Sequence, residues 1–429
     1  MSTATAPAST GRPAATEAIR SWKTPIILGI LAVLGFILFG LQAPSSDVTF
    51  RLTEDNAAIQ LPNIVVSAPV LGWIASVVLL ASAAYAAVLV SRYQRIPAWL
   101  IAVFAVFFIA AFLTWAIGSA RSPSVALYGL LAGSFTLAFP LIFGSLSGVL
   151  CERSGVVNIA IEGQLLFGAF AAAVAGSLSG NAFVGLFAAA IAGVLVSLVL
   201  AVFSIKYIVN QVIVGVVLNV LVSGLTGFLF STVLATDAAK WNSPPRLPSI
   251  RIPLLADIPI IGPILFNQSV IGYLMYIAVA AIYFGLFHTK WGLRTRAVGE
   301  HPKAADTLGV NVNRTRFLNV LLAGSVAGVG GAFFTLVAVS SFNRDMTSGQ
   351  GYIALAALIL GRWNPIGALF AALLFGFASN LQSVLSLLGT PVPNQFLAML
   401  PYVVTIFAVA GVVGKSRGPA ASGIPYIKG

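Results

Sequence analysis

Long apolar runs alternate with short polar ones along almost the whole of this chain. Runs at 25–43, 65–90, 96–117, 125–149, 159–177, 182–204, 209–234, 270–287, 317–339, 366–388 and 396–413 are each long enough to cross the hydrocarbon core as a helix, at about 1.5 Å per residue. One further apolar run, 352–360, is too short for a regular span. The ten-residue strand alternation that a membrane barrel requires is absent from these runs. The pattern predicts an all-α, polytopic transmembrane helical bundle of about 10–12 membrane segments, some of them short, broken or re-entrant helices.

The polar connectors differ in charge. Residues 290–316 hold six basic side chains, Lys290, Arg294, Arg296, Lys303, Arg314 and Arg316, against Glu300 and Asp306. Lys and Arg resist translocation, which puts this loop on the cytoplasmic side. Counting crossings outward from it, 17 of the 23 Lys and Arg fall inside, predicting both termini in the cytoplasm and residues 235–267 outside. The middle of the loop reads as a short helix. Pro302 suits its first turn, Glu300 its positive end, and Ala304 and Ala305 its interior. Leu308 adds an apolar contact, and Gly309 can close the helix in a left-handed conformation. Such a helix either docks a partner or is a solvated connector, and the residues alone leave both open.

Composition narrows the class further. Hydrophobic residues make up 59 % and charged residues 8 %, with a mean hydropathy of +1.00. A soluble domain carries about three times that charge. The net charge of +12 is spread over loop ends and not gathered into a patch, which argues against nucleic acid as a partner. Cys151 is the one cysteine, so no intramolecular disulfide forms. His288 and His301 have no carboxylate cluster beside them, so neither a metal site nor a cofactor is expected. The Gly-Lys-Ser at 414–416 resembles the end of a phosphate-binding loop, but Val409 stands where the first glycine belongs and no strand precedes it. The chain therefore has no nucleotide site of its own and no enzyme is expected, so energy for any active transport would come from elsewhere. Residues 1–24, rich in Ala, Thr, Ser and Pro, read as a disordered cytoplasmic tail, and 414–429 as a C-terminal cytoplasmic tail.

Two stretches interrupt the apolar pattern with groups that can do chemistry. In 152–163, Glu152, Arg153, Asn158 and Glu162 lie where two spans meet, with Gly155 and Gly163 breaking the helical period. Ionisable groups at membrane depth and broken helices both mark transporter sites. Equally, Glu162 can simply cap the helix beginning at Gly163, and Glu152 can pair with Arg153. In 347–365, Gly349 and Gly351 open a half-length apolar helix that Gly361–Pro365 closes, echoing the first break. Trp363 sits within that closing stretch. Asn219 and Asn380 are the most deeply placed amides of the spans, so they either glue helices together or face a polar path. The candidate path therefore comprises Asn158, Glu162, Gly163, Asn219, Gly351, Trp363 and Asn380. It has no ring of basic residues, which suits a neutral hydroxylated solute, and a purely polar lining should tolerate Glu162→Gln.

The stretches CERSGVVNIAIEGQLLFGA (151–169), AVGEHPKAADTLGVNVNRTR (297–316) and MTSGQGYIALAALILGRWNPIGALFAALLFG (346–376) resemble the permease subunits of ABC importers for nucleosides and simple sugars. These are related to the ribose and branched-chain amino-acid permeases. The likeness covers about 125–413, leaving 25–124 as an N-terminal membrane extension. It implies a second permease subunit (a heterodimer or a homodimer), a cytoplasmic ABC ATPase, and an external binding lipoprotein or periplasmic protein, all in or against the cell membrane. On this resemblance Gly299, Glu300, Pro302, Ala304, Ala305, Leu308 and Gly309 would form the coupling-helix region seated in the ATPase. Residues 158–163 and 351–365 would flank the path, which would carry nucleosides first and simple sugars second. A branched-chain amino-acid permease and a proton-coupled secondary transporter, for which only Glu162 qualifies as a membrane carboxylate, stay open as alternatives.

Overall fold

The computed structural model describes residues 22–53, 59–120, 122–390, 392–407 and 418–428. Most of the expected N-terminal tail, the end of the last apolar run and the 414–416 tripeptide lie outside them. The chain forms two compact units, one of residues up to Val48 with Val66–Ser119, the other of Thr49–Val65 with everything from Ala120 onward. Among the described residues, ten helices are long and apolar enough to span a bilayer. The chain is a multi-pass helical membrane protein.

The first unit is built from α1 (Lys23–Leu41), α2 (Ala68–Ser91) and α3 (Ala98–Gly118). Leu28, Ala32, Leu79, Ala86, Leu100 and Phe104 form one buried cluster, and Phe39, Ala75 and Ala111 another. Gly72 is required here, because a Cβ at that position would run into the carbonyl of Phe39. The end of α3 is tied down by Ser46, whose hydroxyl donates to the Gly118 carbonyl at 2.8 Å.

The second unit holds α4 (Leu127–Arg153), α5 (Ile161–Ser179), α6 (Ala182–Lys206), α7 (Gln211–Leu234), α8 (Val270–His288), α9 (Lys290–Glu300), α10 (Pro302–Thr307), α11 (Val312–Ala338), α12 (Gln350–Leu360), α13 (Pro365–Leu388) and α14 (Asn394–Phe407). Asparagine starts several of these helices. The side chains of Asn181, Asn210, Asn311 and Asn364 each accept from a first-turn backbone N–H that would otherwise be unpaired. Gly180 and Gly389, both at φ 64°, end α5 and α13 in the left-handed conformation. Helix α4 is the axis of the unit: 89 % of its most apolar stretch is buried, against 33 % for α7 and α8. Phe139 meets Phe333 edge-on across the α4–α11 contact, 5.8 Å between ring centres.

Small residues set the tightest interfaces. The backbone of α11 at Gly324 and Gly328 lies against α6 at Gly193 and Ala189, and Gly331 lies against the Leu165 carbonyl of α5. Gly144 and Gly148 of α4 similarly admit Ala354 and Leu358 of α12. Where lipid gives no hydrophobic drive between helices, this close approach supplies the van der Waals contact that holds them.

Two features differ from the sequence expectation. The basic loop is two helices and not one: α9 precedes the expected short helix α10, which ends at Gly309 with φ 81°. Helix α11 also starts at Val312, five residues before the apolar run, because Asn311 caps it and Arg316 turns inward to become 2 % exposed. The segment 235–267 is locally folded. It contains short helices Ala238–Trp241 and Ile261–Leu265 and an antiparallel pairing of Ser249–Arg251 with Asn267–Ser269.

Gly328→Leu forces a side chain into the backbone of Ala189 and Gly193, whereas a Cβ at Gly227 in α7 has nothing within 4 Å, so Gly227→Leu begins in open space. The first is expected to lower stability by about 1–3 kcal/mol or more, through overpacking. The second should stay within about 0.5 kcal/mol of the parent. Thermal unfolding of the detergent-solubilised protein measures both.

Candidate functional site

The chain leaves helical geometry twice near the middle of the second unit, and lipid cannot satisfy the backbone groups so freed. The first break separates α4 from α5. It turns through Gly155, at φ 91°, and reaches Glu162 in the first turn of α5. The second precedes α12 and passes through left-handed residues Ser340, Asp345, Ser348 and Gly349. A side chain from the first break satisfies the second. Glu162 Oε1 accepts from the Thr347 hydroxyl (2.6 Å) and the Gly349 N–H (2.8 Å), and Oε2 accepts from the Gly351 N–H (2.6 Å). A carboxylate from one helix thus caps the positive end of another. Gly351 can only be glycine, since a Cβ there would lie 2.5 Å from the Glu162 Cα.

Asn219, in the middle of α7, completes the junction. Its Oδ1 accepts from the Gly163 N–H at 2.8 Å, while Nδ2 donates to the Ile159 carbonyl at 2.9 Å and the Tyr352 hydroxyl at 3.1 Å. Helices α5, α7 and α12 are therefore joined at one polar knot. Beside it opens a cavity of about 510 Å³ whose polar lining is Glu162, Asn219, Ser223, Asp345, Ser348 and Tyr352. Ser223 donates to Asp345 at 2.5 Å. This volume falls in the range of small-molecule sites, roughly 300–1,000 Å³. Hydroxyls, one amide and two carboxylates face the cavity beside apolar Leu166 and Val220, and among the described residues no basic side chain lines it. Such a surface exchanges hydrogen bonds with a neutral polar solute and repels an anion.

The structure brings Glu162, Gly163, Asn219 and Gly351 together at this junction, where Glu162 and Asn219 line the cavity, and puts the other candidate path residues elsewhere. Asn158 is fully buried. It donates to Ser147 (3.1 Å) and Gln164 (3.0 Å), and Gln164 donates to Ser197 (2.8 Å), a closed network linking α4, α5 and α6. Asn380 donates to the Leu130 carbonyl at 2.7 Å, fastening α13 to α4. Trp363 lies past the far end of α12, about 16 Å along an eleven-residue helix from the cavity. There its indole N–H donates to Glu152, and Arg153 Nε donates to its carbonyl at 2.9 Å. Thr347, Ser223, Asp345 and Tyr352 were not singled out by sequence. Thr347 opens the second interrupted stretch, but nothing in the sequence pairs any of them with Glu162 or Asn219. Among the described residues, no three of His, Cys, Asp or Glu cluster as metal ligands.

The region expected to couple to an ATPase is a separate surface. Gly299 packs directly on the Arg153 carbonyl, and Glu300 Oε2 accepts from the Ala420 N–H at 3.1 Å. Ala305 is only 3 % exposed, packed with Val298, Val312 and Tyr426 of its own chain. It therefore does not face outward as a docking residue would. Lys303, Ala304 and Leu308 do, with Leu308 84 % exposed. Burial, then hydrogen bonding to and the charge of Asp306, raise the Tyr426 phenol above its usual range.

Residues 130–409 match the family described as branched-chain amino acid transport system / permease component. The guanosine ABC transporter permease protein NupQ of Bacillus subtilis is 41 % identical over 301 residues, which are 68 % of this chain and 94 % of NupQ. The nucleoside ABC transporter permease protein NupC of Lactococcus lactis is 38 % identical over 308 residues, 70 % of this chain and 96 % of its own. The putative glucose ABC transporter permease protein TsgC13 of Haloferax volcanii is 32 % identical over 311 residues, 67 % and 93 %. No solved structure matches the chain.

The three hydrogen bonds on Glu162 revise the expectation for Glu162→Gln. An amide keeps one acceptor but turns an NH2 toward a backbone N–H that cannot accept. The variant is expected to lose about 1–3 kcal/mol, the penalty for an unpaired buried group, read as a lower unfolding midpoint in detergent. Asp345→Asn, at the open rim of the cavity, should leave that midpoint unchanged.

Proposed function

This chain belongs to the family of branched-chain amino acid transport system permease components, and from that membership we propose that it forms the membrane path of an ATP-driven importer of nucleosides. The carrying observation is the cavity at the Glu162–Asn219–Gly351 junction, where two interrupted helices and an amide-bearing span meet. Paired broken helices are where transporters hold cargo. Ribose hydroxyls and base edges are donors and acceptors of the kind this lining exchanges with. The lack of a basic partner argues against a phosphorylated cargo, and against an amino acid whose carboxylate would go unpaired. A simple sugar is the second reading, favoured by the likeness to the Haloferax volcanii protein named for glucose. Glu162 serves as a three-bond cap, which argues against a proton-coupled carrier, because a proton-carrying carboxylate would have to leave the junction it holds.

The partners follow in the same reading. A second permease subunit would close the open side of the cavity, and an external binding protein would meet residues 235–267. A cytoplasmic ATPase would dock on the outward face of α10, with Lys303, Ala304 and Leu308 as its contacts and Gly299, Glu300, Pro302 and Ala305 as the support behind them. Both termini would be cytoplasmic. Residues 25–124 would be an extension outside the permease core, which agrees with a family match beginning at 130.

Three measurements test this. Reconstituted vesicles with ATP, the ATPase and the binding protein should accumulate labelled guanosine or uridine. Uptake of leucine without uptake of a nucleoside or sugar would overturn the cargo, and uptake on a proton gradient alone would overturn the importer. With Cys151 replaced, a cysteine at the exposed Ser243 should react with an impermeant reagent in intact cells; reaction only after permeabilisation would reverse the orientation. Leu308→Glu should leave the unfolding midpoint within about 0.5 kcal/mol of the parent, as a surface change, yet abolish co-purification of the ATPase. Ala305→Glu should instead lower the midpoint.

A further inference from the structure

Residues 418–428 lie against α9, α10 and α11 and against the connectors that follow α4 and α12. Gly418 sits on the Trp363 indole, where a Cβ would be 2.9 Å from the ring. The Ala420 N–H donates to Glu300 at 3.1 Å and the Ala421 N–H to the Gly299 carbonyl at 2.8 Å. A turn at Gly423, φ 79°, brings the backbone against Val157 in the break between α4 and α5. The Ile424 carbonyl accepts from Arg316 Nη1 at 2.9 Å, and Tyr426 packs on Ala305 and hydrogen-bonds to Asp306. One segment therefore touches the docking helix α10, the first helix break at Val157 and the connector just past α12 at Trp363.

Arg316 specifies how that segment is seated. It is 2 % exposed, lies against Gly155 in the first break, and its Nε and Nη2 have no hydrogen-bond partner among the described residues. A buried guanidinium left without acceptors is costly, so the Ile424 carbonyl is held where it is by the charge beneath it. The rest of the strap is anchored by backbone hydrogen bonds and by the Tyr426 ring.

We propose that residues 418–428 are a positioning strap that fixes α10 against the first helix break and the far end of α12, so that force applied to the docking helix reaches that break and the α12 rod at once. This rests on α10 being the ATPase contact. A strap of this kind changes how much cargo moves per ATP, whereas a merely stabilising tail changes how much folded protein survives.

The test is made on the complete importer in vesicles, with the chain ended after residue 417 and, separately, with Tyr426→Ala and Tyr426→Phe. The shortened chain should still co-purify with the ATPase and hydrolyse ATP, while nucleoside taken up per ATP falls about tenfold, within the usual range of coupling between sites. Tyr426→Ala should fall in the same direction, and Tyr426→Phe, which keeps the ring on Ala305, should recover most of the loss. A synthetic peptide of residues 418–428 should restore the shortened chain. Amide hydrogen exchange over residues 302–310 should quicken on strap removal, and this is measurable on the permease alone. Unchanged uptake per ATP, or unchanged exchange over 302–310, would overturn the strap. Loss of ATPase co-purification from a stably folded shortened chain would overturn it too, by making the segment part of the docking surface. A parent importer that never co-purifies with an ATPase would overturn the docking reading itself, independently of the exchange result.

Discussion

The bond between the Glu162 carboxylate and the N–H groups of Gly349 and Gly351 is the contact on which the rest of the second unit turns. A helix begun in the middle of a membrane protein exposes unpaired N–H groups that lipid cannot satisfy. Here the acceptor comes from a neighbouring helix start, so the second break depends on the first. The first turn of α5 has the same need and meets it through Asn219, which accepts from Gly163. Because the satisfying groups are side chains of different helices, satisfying the backbone also positions α5, α7 and α12 relative to one another. The cavity is the space left over at that meeting point.

Glycine is what allows the arrangement to close. Gly351 brings backbone to within hydrogen-bond reach of a carboxylate, and Gly144 and Gly148 let α4 lie against α12. Gly193, Gly324 and Gly328 do the same for α6 and α11. The short helix is therefore held along its flank as well as at its tip. Buried amides then add direction to packing that van der Waals contact alone leaves unspecific. The Asn158–Gln164–Ser197 network fixes the rotation of α5 between α4 and α6.

Much of this was legible in the pattern of residues. Apolar runs located the spans to within a few residues, because membrane helices must be continuous and apolar for physical reasons that leave little choice. Both interrupted stretches were visible as glycines inside apolar sequence. What the sequence could not distinguish was one buried amide from another. Asn158, Asn219 and Asn380 look alike in an apolar run, yet Asn219 borders the cavity while the other two are fastened into helix contacts. The difference lies in which face of the helix each occupies relative to partners distant in sequence. Ala305 was ambiguous for the same reason. A small residue suits a cleft in another protein and a tight contact in its own, and Val298, Val312 and Tyr426 decide for the latter. Arg316 was counted as a loop charge because hydropathy windows end at charged residues, although a capped helix can continue through them.

Helix α12 also connects two chemically different places. Its first turn meets Glu162 and Tyr352 reaches Asn219 from it, while just past its last turn Trp363 donates to Glu152 and accepts from Arg153. Three turns of hydrogen-bonded helix are stiff on this length scale, so a shift at one end is a shift at the other. Arg153 stacks on Phe287, as does Arg296 from α9, so the Trp363 end of α12 lies beside the helix that leads into α10. A rod with one end at a polar cavity and the other beside the helix that leads into α10 has the geometry needed to turn a push on α10 into a change in the cavity. The membrane favours such a rod over a loop, because a helix carries its own hydrogen bonds as it moves and a loop would have to exchange them.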